Sequence, residues 1–195
     1  MQIGFDNRFA LEVVEIFPGE YHATRESRII STVLGSCIAV ALCDAGAGVA
    51  GMNHFMLPGD LAKGRIYLTK SGKYGMYAME LLTNEMIKMG GAKKSFVAKV
   101  FGGGTVLRNS GGFTNSVPEG NITFAMAYLK QEGIPVASQD VGGTQGRRVL
   151  FFTEGHKVLV KKLNRREITP VESEENVYLS AIRRESEKKP DFTLF

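Results

Sequence analysis

Cys37 and His54 are the two residues of this chain with the plainest capacity for chemistry. Cys37 follows Gly35-Ser36 and opens an apolar run that ends at Cys43; His54 sits in a second run, Gly48 to Leu57. A thiol attacks as its thiolate, and an imidazole within reach can take its proton. Both runs alternate small and β-branched residues, and the loop Asp44 to Gly48 separates them, which predicts two strands. Paired antiparallel as a hairpin, they bring the start of one and the end of the other, and so Cys37 and His54, to the same sheet edge. Gly35 and Ser36 supply backbone N–H groups beside the thiol, donors of the kind that stabilise an oxyanion. The residues alone leave a second reading open, because a buried cysteine usually acts as a small hydrophobe and a lone histidine in an apolar run is commonly a core residue.

The elements that must position this pair can be read along the chain. Glu12 to Phe17 predicts a strand before the turn Pro18-Gly19-Glu20, and His22 falls in a polar segment expected to be a solvated loop. Ile29 to Leu34 predicts another strand. After Pro58 a glycine- and lysine-rich stretch reads as a surface loop. Met76, Met79, Leu82, Met86 and Met89 recur at helical spacing, predicting a helix over 72–90 with Ser71 as N-cap and the stripe packed on a sheet. Ser95 to Phe101 predicts a strand running into Gly102-Gly103-Gly104, which lacks phosphate-loop spacing and reads as a close-packed turn. A second helix is expected over 118–130, then a strand over 134–140 and the loop 141–146. A hairpin follows about Glu154-Gly155, with Arg147 and Arg148 at its mouth and His156 exposed in its turn. These elements amount to about eight strands and two or three helices, an α+β domain of mixed β-sheets flanked by helices.

Composition excludes several classes. The chain has 195 residues, 24 basic against 20 acidic, for a net charge of +4. That excess forms no basic stripe with interleaved aromatics, so nucleic acid is not an expected partner. No apolar run has the length of a membrane span or the form of a signal peptide, so a soluble, cytoplasmic protein with no membrane insertion is expected. Cys37 and Cys43, about 20 Å apart on one extended strand, are too distant to bridge, since a disulfide needs Cα atoms within about 7 Å. The two cysteines and three histidines lack zinc-ligand spacing, so no metal or other cofactor is expected.

The order LGSC-x-AV, then Asp44, then G-x-x-HFMLP resembles the chemoreceptor glutamine deamidase family CheD. The resemblance runs from IFPGEY at Ile16 to VLVKKL at Val158, through GKYGMYAMELL at Gly72, GGGTVL at Gly102 and QDVGGTQGRRV at Gln139. It implies a fold similar to that of toxin-type cysteine deamidases, and a deamidase domain over residues 1–163. The charged extension 164–195 is then a terminal helix or a partly disordered tail. It also implies a protein-glutamine glutaminase, a cysteine hydrolase that converts receptor glutamines to glutamate on cytoplasmic helices and so tunes chemotaxis signalling. In the site the resemblance implies, Cys37 attacks, His54 transfers protons and the turn Gly35-Ser36 holds the oxyanion. It places the third member, a hydroxyl residue usually threonine, at Ser31. Arg147 matches the arginine of the glycine-rich loop and is expected to be structural or to face substrate. A CheC-type phosphatase is the further partner implied. Two other readings stand beside this one: a non-catalytic receptor-binding adaptor, and a cysteine amidase acting on another substrate.

Overall fold

The computed structural model describes residues 1–57, 70–106 and 116–187. Most of the stretch expected as a surface loop after Pro58 lies outside them. In chain order the described residues form β1 (Gln2–Asp6), β2 (Leu11–Glu15), β3 (Tyr21–Thr24), β4 (Ile29–Leu34), β5 (Ile38–Asp44) and β6 (Val49–Phe55). Then come α1 (Lys70–Lys88), β7 (Val97–Gly102), α2 (Ser116–Gln131), β8 (Val136–Val141), β9 (Arg147–Phe152), β10 (Val158–Lys162) and α3 (Arg165–Glu187).

The strands make two five-stranded sheets, ordered β1-β2-β4-β9-β10 and β3-β6-β5-β7-β8. Each is mixed: β2 runs parallel to β4 and β7 to β8, while the other neighbours are antiparallel. The α+β architecture with mixed sheets matches the expectation from sequence, with more strands than the alternation suggests. β1 escapes notice because it is an edge strand that buries neither Ile3 nor Phe5, so no apolar face marks it. β3 carries His22 opposite Met52 of β6 rather than in a loop.

Side chains alternate across a strand, and the burial follows that period. Val14, Ile30, Leu34, Val149 and Phe151 of the first sheet meet Ala39, Ala41, Ala50 and Met52 of the second in one apolar core. The opposite face of the second sheet, with Ile38, Val40, Leu42, Phe55, Ala98 and Val100, is covered by α1 and α2 through Met79, Leu82, Met86, Phe124 and Leu129. The methionine stripe is thus core packing. Helix α1 starts at Lys70, so Ser71 lies within its first turn instead of capping it.

Within the terminal segment the described residues form the helix α3. Asn164 caps it: Oδ1 accepts from the N–H groups of Arg166 and Glu167 at 3.0 and 3.1 Å, and Glu167 Oε2 accepts from Asn164 N–H at 3.0 Å, a reciprocal capping box. Leu179 and Ile182 are buried in the core between the sheets, and Tyr178 shares a hydrogen bond with Tyr74 of α1 at 2.6 Å. Among the described residues no helix is long and apolar enough to cross a membrane.

Candidate active site

β5 and β6 pair as an antiparallel hairpin, with Ala39 opposite His54 and Ile38 opposite Phe55. Cys37 is the residue just before β5, so thiol and imidazole meet at the sheet edge. The sulfur and a ring nitrogen lie within 4.8 Å of one another.

The turn Gly35-Ser36-Cys37 is held from behind at every carbonyl. Gly103 N–H donates to Cys37 O at 2.6 Å and Gly104 N–H to Gly35 O at 2.8 Å. Asn121 Nδ2 of α2 donates to Ser36 O at 2.9 Å. The glycine-rich turn after β7 approaches so closely that a Cβ on Gly102 would lie 2.2 Å from Cys37 O, a distance only glycine tolerates. With the carbonyls fixed on one side, the three N–H groups point to the other and converge on one group, the carboxylate of Glu175 from α3. Oε1 accepts from Gly35 N–H at 2.8 Å and Cys37 N–H at 3.2 Å. Oε2 accepts from Ser36 N–H at 2.8 Å and the Ser36 hydroxyl at 2.7 Å. A cluster of preorganised backbone donors is what an oxyanion hole requires.

The hydroxyl that reaches His54 belongs to Thr32, not to Ser31. Thr32 Oγ1 and His54 Nδ1 are 2.8 Å apart, and the same hydroxyl donates to Ile16 O at 2.7 Å. Because its proton is committed to that carbonyl, Thr32 Oγ1 accepts from Nδ1–H, which fixes the tautomer and leaves Nε2 with its lone pair. His54 Nε2 is buried without a hydrogen-bond partner among the described residues. Neighbouring residues of β4 face opposite sides: Ile30 and Leu34 point with Thr32 toward the second sheet, which puts Ser31 on the outer face. There it stands between Glu15 and Leu150, its Oγ buried and, among the described residues, unpartnered.

Both members of the pair are neutral as they stand. Burial, reinforced by the Glu175 carboxylate, pushes the Cys37 thiol well up. Burial lowers His54 to about 3, opposed in part by the Ile16 carbonyl. A cavity of about 160 Å³ lined by Glu15, Phe17, His54, Arg148, Val171 and Glu175 adjoins the imidazole, ample for water, which fills about 30 Å³ in the liquid. Cys37, His54 and Glu175 also present a thiol, an imidazole nitrogen and a carboxylate oxygen within 4.8 Å of one another. That donor set could close on a zinc-like ion if the carboxylate left its four hydrogen bonds.

The comparisons with known proteins agree. A family model described as CheD chemotactic sensory transduction matches residues 56–162. The chain is 42% identical over 180 residues to a probable chemoreceptor glutamine deamidase CheD of Laribacter hongkongensis, covering 92% of this chain and 86% of that one. This chain belongs to the CheD family. A second member, the probable chemoreceptor glutamine deamidase CheD 1 of Dechloromonas aromatica, is 44% identical over 174 residues, covering 89% of this chain and 85% of the other. Among solved structures, a hypothetical protein YfiH of Bacillus licheniformis superposes with a TM-score of 0.40 at 12% identity over 62% of this chain and 49% of that one, too slight a likeness to inform the site.

Within this CheD-family site, Arg147 is fully buried. It donates from Nη1 to Gly102 O at 3.1 Å, pairs with Asp140 Oδ1 at 2.9 Å, donates from Nη2 to Gln145 O at 3.2 Å, and also bonds the carbonyls of Asp140 and Gly142. Arg147 thus fixes the glycine turn that backs Cys37, and it is Arg148 that lines the cavity beside His54. Thr32 is the neighbour that sequence reasoning set aside for Ser31, and Asn121 and Glu175 are the site residues it did not single out. Glu175 had a signal: it stands where an apolar residue belongs, midway along the spacing Ile168, Val171, Glu175, Tyr178, Ile182.

Proposed function

We propose that this chain hydrolyses the side-chain amide of specific glutamines on chemoreceptors, leaving glutamate, as a cytoplasmic protein-glutamine glutaminase. The observation that carries the reading is the tautomer lock: Thr32 holds Nδ1–H of His54 and leaves Nε2 its lone pair, in an imidazole with a ring nitrogen within 4.8 Å of the Cys37 sulfur, beside three convergent N–H groups. Nε2 takes the thiol proton as Cys37 Sγ attacks the amide carbon, and the N–H groups of Gly35, Ser36 and Cys37 receive the developing oxyanion. His54 then returns the proton to the departing ammonia. A water from the adjoining cavity, deprotonated by Nε2, cleaves the thioester and restores the thiol. Thr32 orients the base in this scheme, the role expected of Ser31. Arg147 acts through the turn it braces.

The test is mass spectrometry of a receptor cytoplasmic fragment incubated with the wild-type chain and with Cys37→Ala. A gain of about 1 Da per modified glutamine, the change from amide to acid, is expected with the wild type only. A gain that survives Cys37→Ala would remove Cys37 as nucleophile. The buried, protonated thiol also suits a receptor-binding adaptor, for which the fragment would bind and its mass stay unchanged. Family membership alone supports a CheC-type phosphatase as a second partner, which a pull-down showing no complex at micromolar concentrations would dismiss.

A further inference from the structure

Helix α3 brings a carboxylate to the one place where the deamidase reaction makes a carboxylate. Its inward seam, Ile168, Val171, Glu175, Tyr178 and Ile182, follows the three- and four-residue spacing of a single helix face. A charge at the centre of such a seam is costly unless its oxygens are satisfied, and Glu175 is fully buried. Its partners are three N–H groups and a hydroxyl of the Cys37 turn rather than a cation. Both oxygens lie in the donor cluster, and the carboxylate is within 4.8 Å of the Cys37 sulfur and a His54 nitrogen. A Cβ on Gly35 would come within 2.7 Å of Glu175 Oε2, so glycine there leaves the room that the side chain occupies. Glutamate and glutamine share their shape and one carbonyl oxygen, so donors that hold one carboxylate oxygen also hold an amide oxygen, its NH2 turned away from them, and a carboxylate oxygen here lies within 4.8 Å of the thiol sulfur.

Resting on the deamidase reading, we propose that α3 is a product analogue built into the chain: it lies in the groove that receives a substrate helix, and Glu175 occupies the position of the newly formed glutamate. A substrate helix and α3 then exclude one another, and the chain works only when α3 has swung out on its junction at Leu163-Asn164. The neutral, carboxylate-facing thiol is the resting state of an enzyme holding its own product. The groove accordingly selects a glutamine presented on a helix with apolar residues three and four positions to either side, and an extended peptide would not match it.

The decisive variant is Glu175→Gln in the full chain, which turns the analogue into a substrate. Cys37 Sγ bonds to the side-chain carbon at position 175, the C–N bond breaks, and nitrogen leaves as ammonia with the proton from His54. Water then adds, the S–C bond breaks, and the net change is amide plus water to carboxylate plus ammonium. Peptide mass spectrometry of the purified variant should find a gain of about 1 Da at position 175, absent when Cys37→Ala is added. An amide that persists at 175 overturns the proposal. If the same sample deamidates a receptor fragment, the deamidase reading survives that failure; if it does not, the reading falls as well. Glu175→Ala is the second variant, with its fold checked by circular dichroism. Emptying the donor cluster should raise the alkylation rate of Cys37 relative to Cys43 by about tenfold or more and raise receptor deamidation at low substrate. Unchanged labelling and unchanged turnover would also overturn it.

Discussion

The roles of Ser31 and Thr32 separate cleanly by experiment. Thr32→Ala removes the acceptor that fixes the His54 tautomer, and a positioned general base is worth about 10²–10⁴ in rate, so losing its orientation should forfeit a large part of that in kcat. Thr32→Ser keeps the hydroxyl and should retain most of the rate, while Ser31→Ala should leave it nearly unchanged; steady-state deamidation of a receptor fragment distinguishes the three. The sequence points at a hydroxyl in β4 but not at which one. The doublets Ile29-Ile30 and Val33-Leu34 put apolar residues on both faces, so alternation reveals no phase. His54 carries a second prediction. Its folded value of about 3 lies below the ordinary value near 6.5, so above about pH 6.5 both folded and unfolded states are neutral and nothing is lost. As pH falls below 6.5 the unfolded chain takes up a proton that the folded one refuses. Stability then drops by up to about 1.4 kcal/mol per pH unit until the folded group titrates. Denaturant midpoints between pH 7 and 5 should show the decline, and His54→Gln should flatten its slope.

At the scale of elements, the hairpin of β5 and β6 is what the sequence shows best, because alternation, a short polar loop and two apolar runs all agree. It places Cys37 and His54 together without knowledge of any other strand. The contribution of α2 could not be read the same way. Asn121 sits among apolar residues of a helix, and only the fold reveals that its amide links Leu57 N–H, accepted at 2.8 Å, to Ser36 O. Asn121→Ala orphans both groups. It should cost about 1–3 kcal/mol of stability and lower kcat more than it raises KM, because the turn that carries the oxyanion donors loosens. Equal losses in the two parameters would remove that role. Glu175 carries a mark in the sequence, its place within the apolar spacing of α3, but a glutamate in a charged terminal segment normally faces water, and packing is what identifies this one as buried.

On the scale of the whole molecule, side chains tie the two sheets together at the site: Thr32 of β4 meets His54 of β6, and Arg147 reaches across to the glycine turn. Arg147 leaves β9 of the first sheet and is bound by the ends of β7 and β8 in the second, through Gly102, Asp140 and the loop beyond. Arg147→Met keeps much of the volume and removes every donor. Asp140 is about a third exposed and keeps Lys162, so the loss comes chiefly from the carbonyls left without a donor, about 1–3 kcal/mol, read as a fall in thermal midpoint with a parallel loss of activity. The motif around Arg147 is conspicuous in the sequence, yet its spacing did not decide between a brace and a substrate contact. Full burial favours the brace.

The order of the second sheet, with β5 at its centre, gives the molecule two clocks. Amide protons within β5 are paired on both sides and exchange with solvent only when the whole sheet opens, the slowest event available to the fold. Those of Gly35, Ser36 and Cys37 are held by a single side chain from a helix, so they exchange whenever that helix departs. Deuterium uptake at these three amides therefore counts the openings of the site directly, in the resting protein and without substrate, against an internal standard a few residues along the same chain.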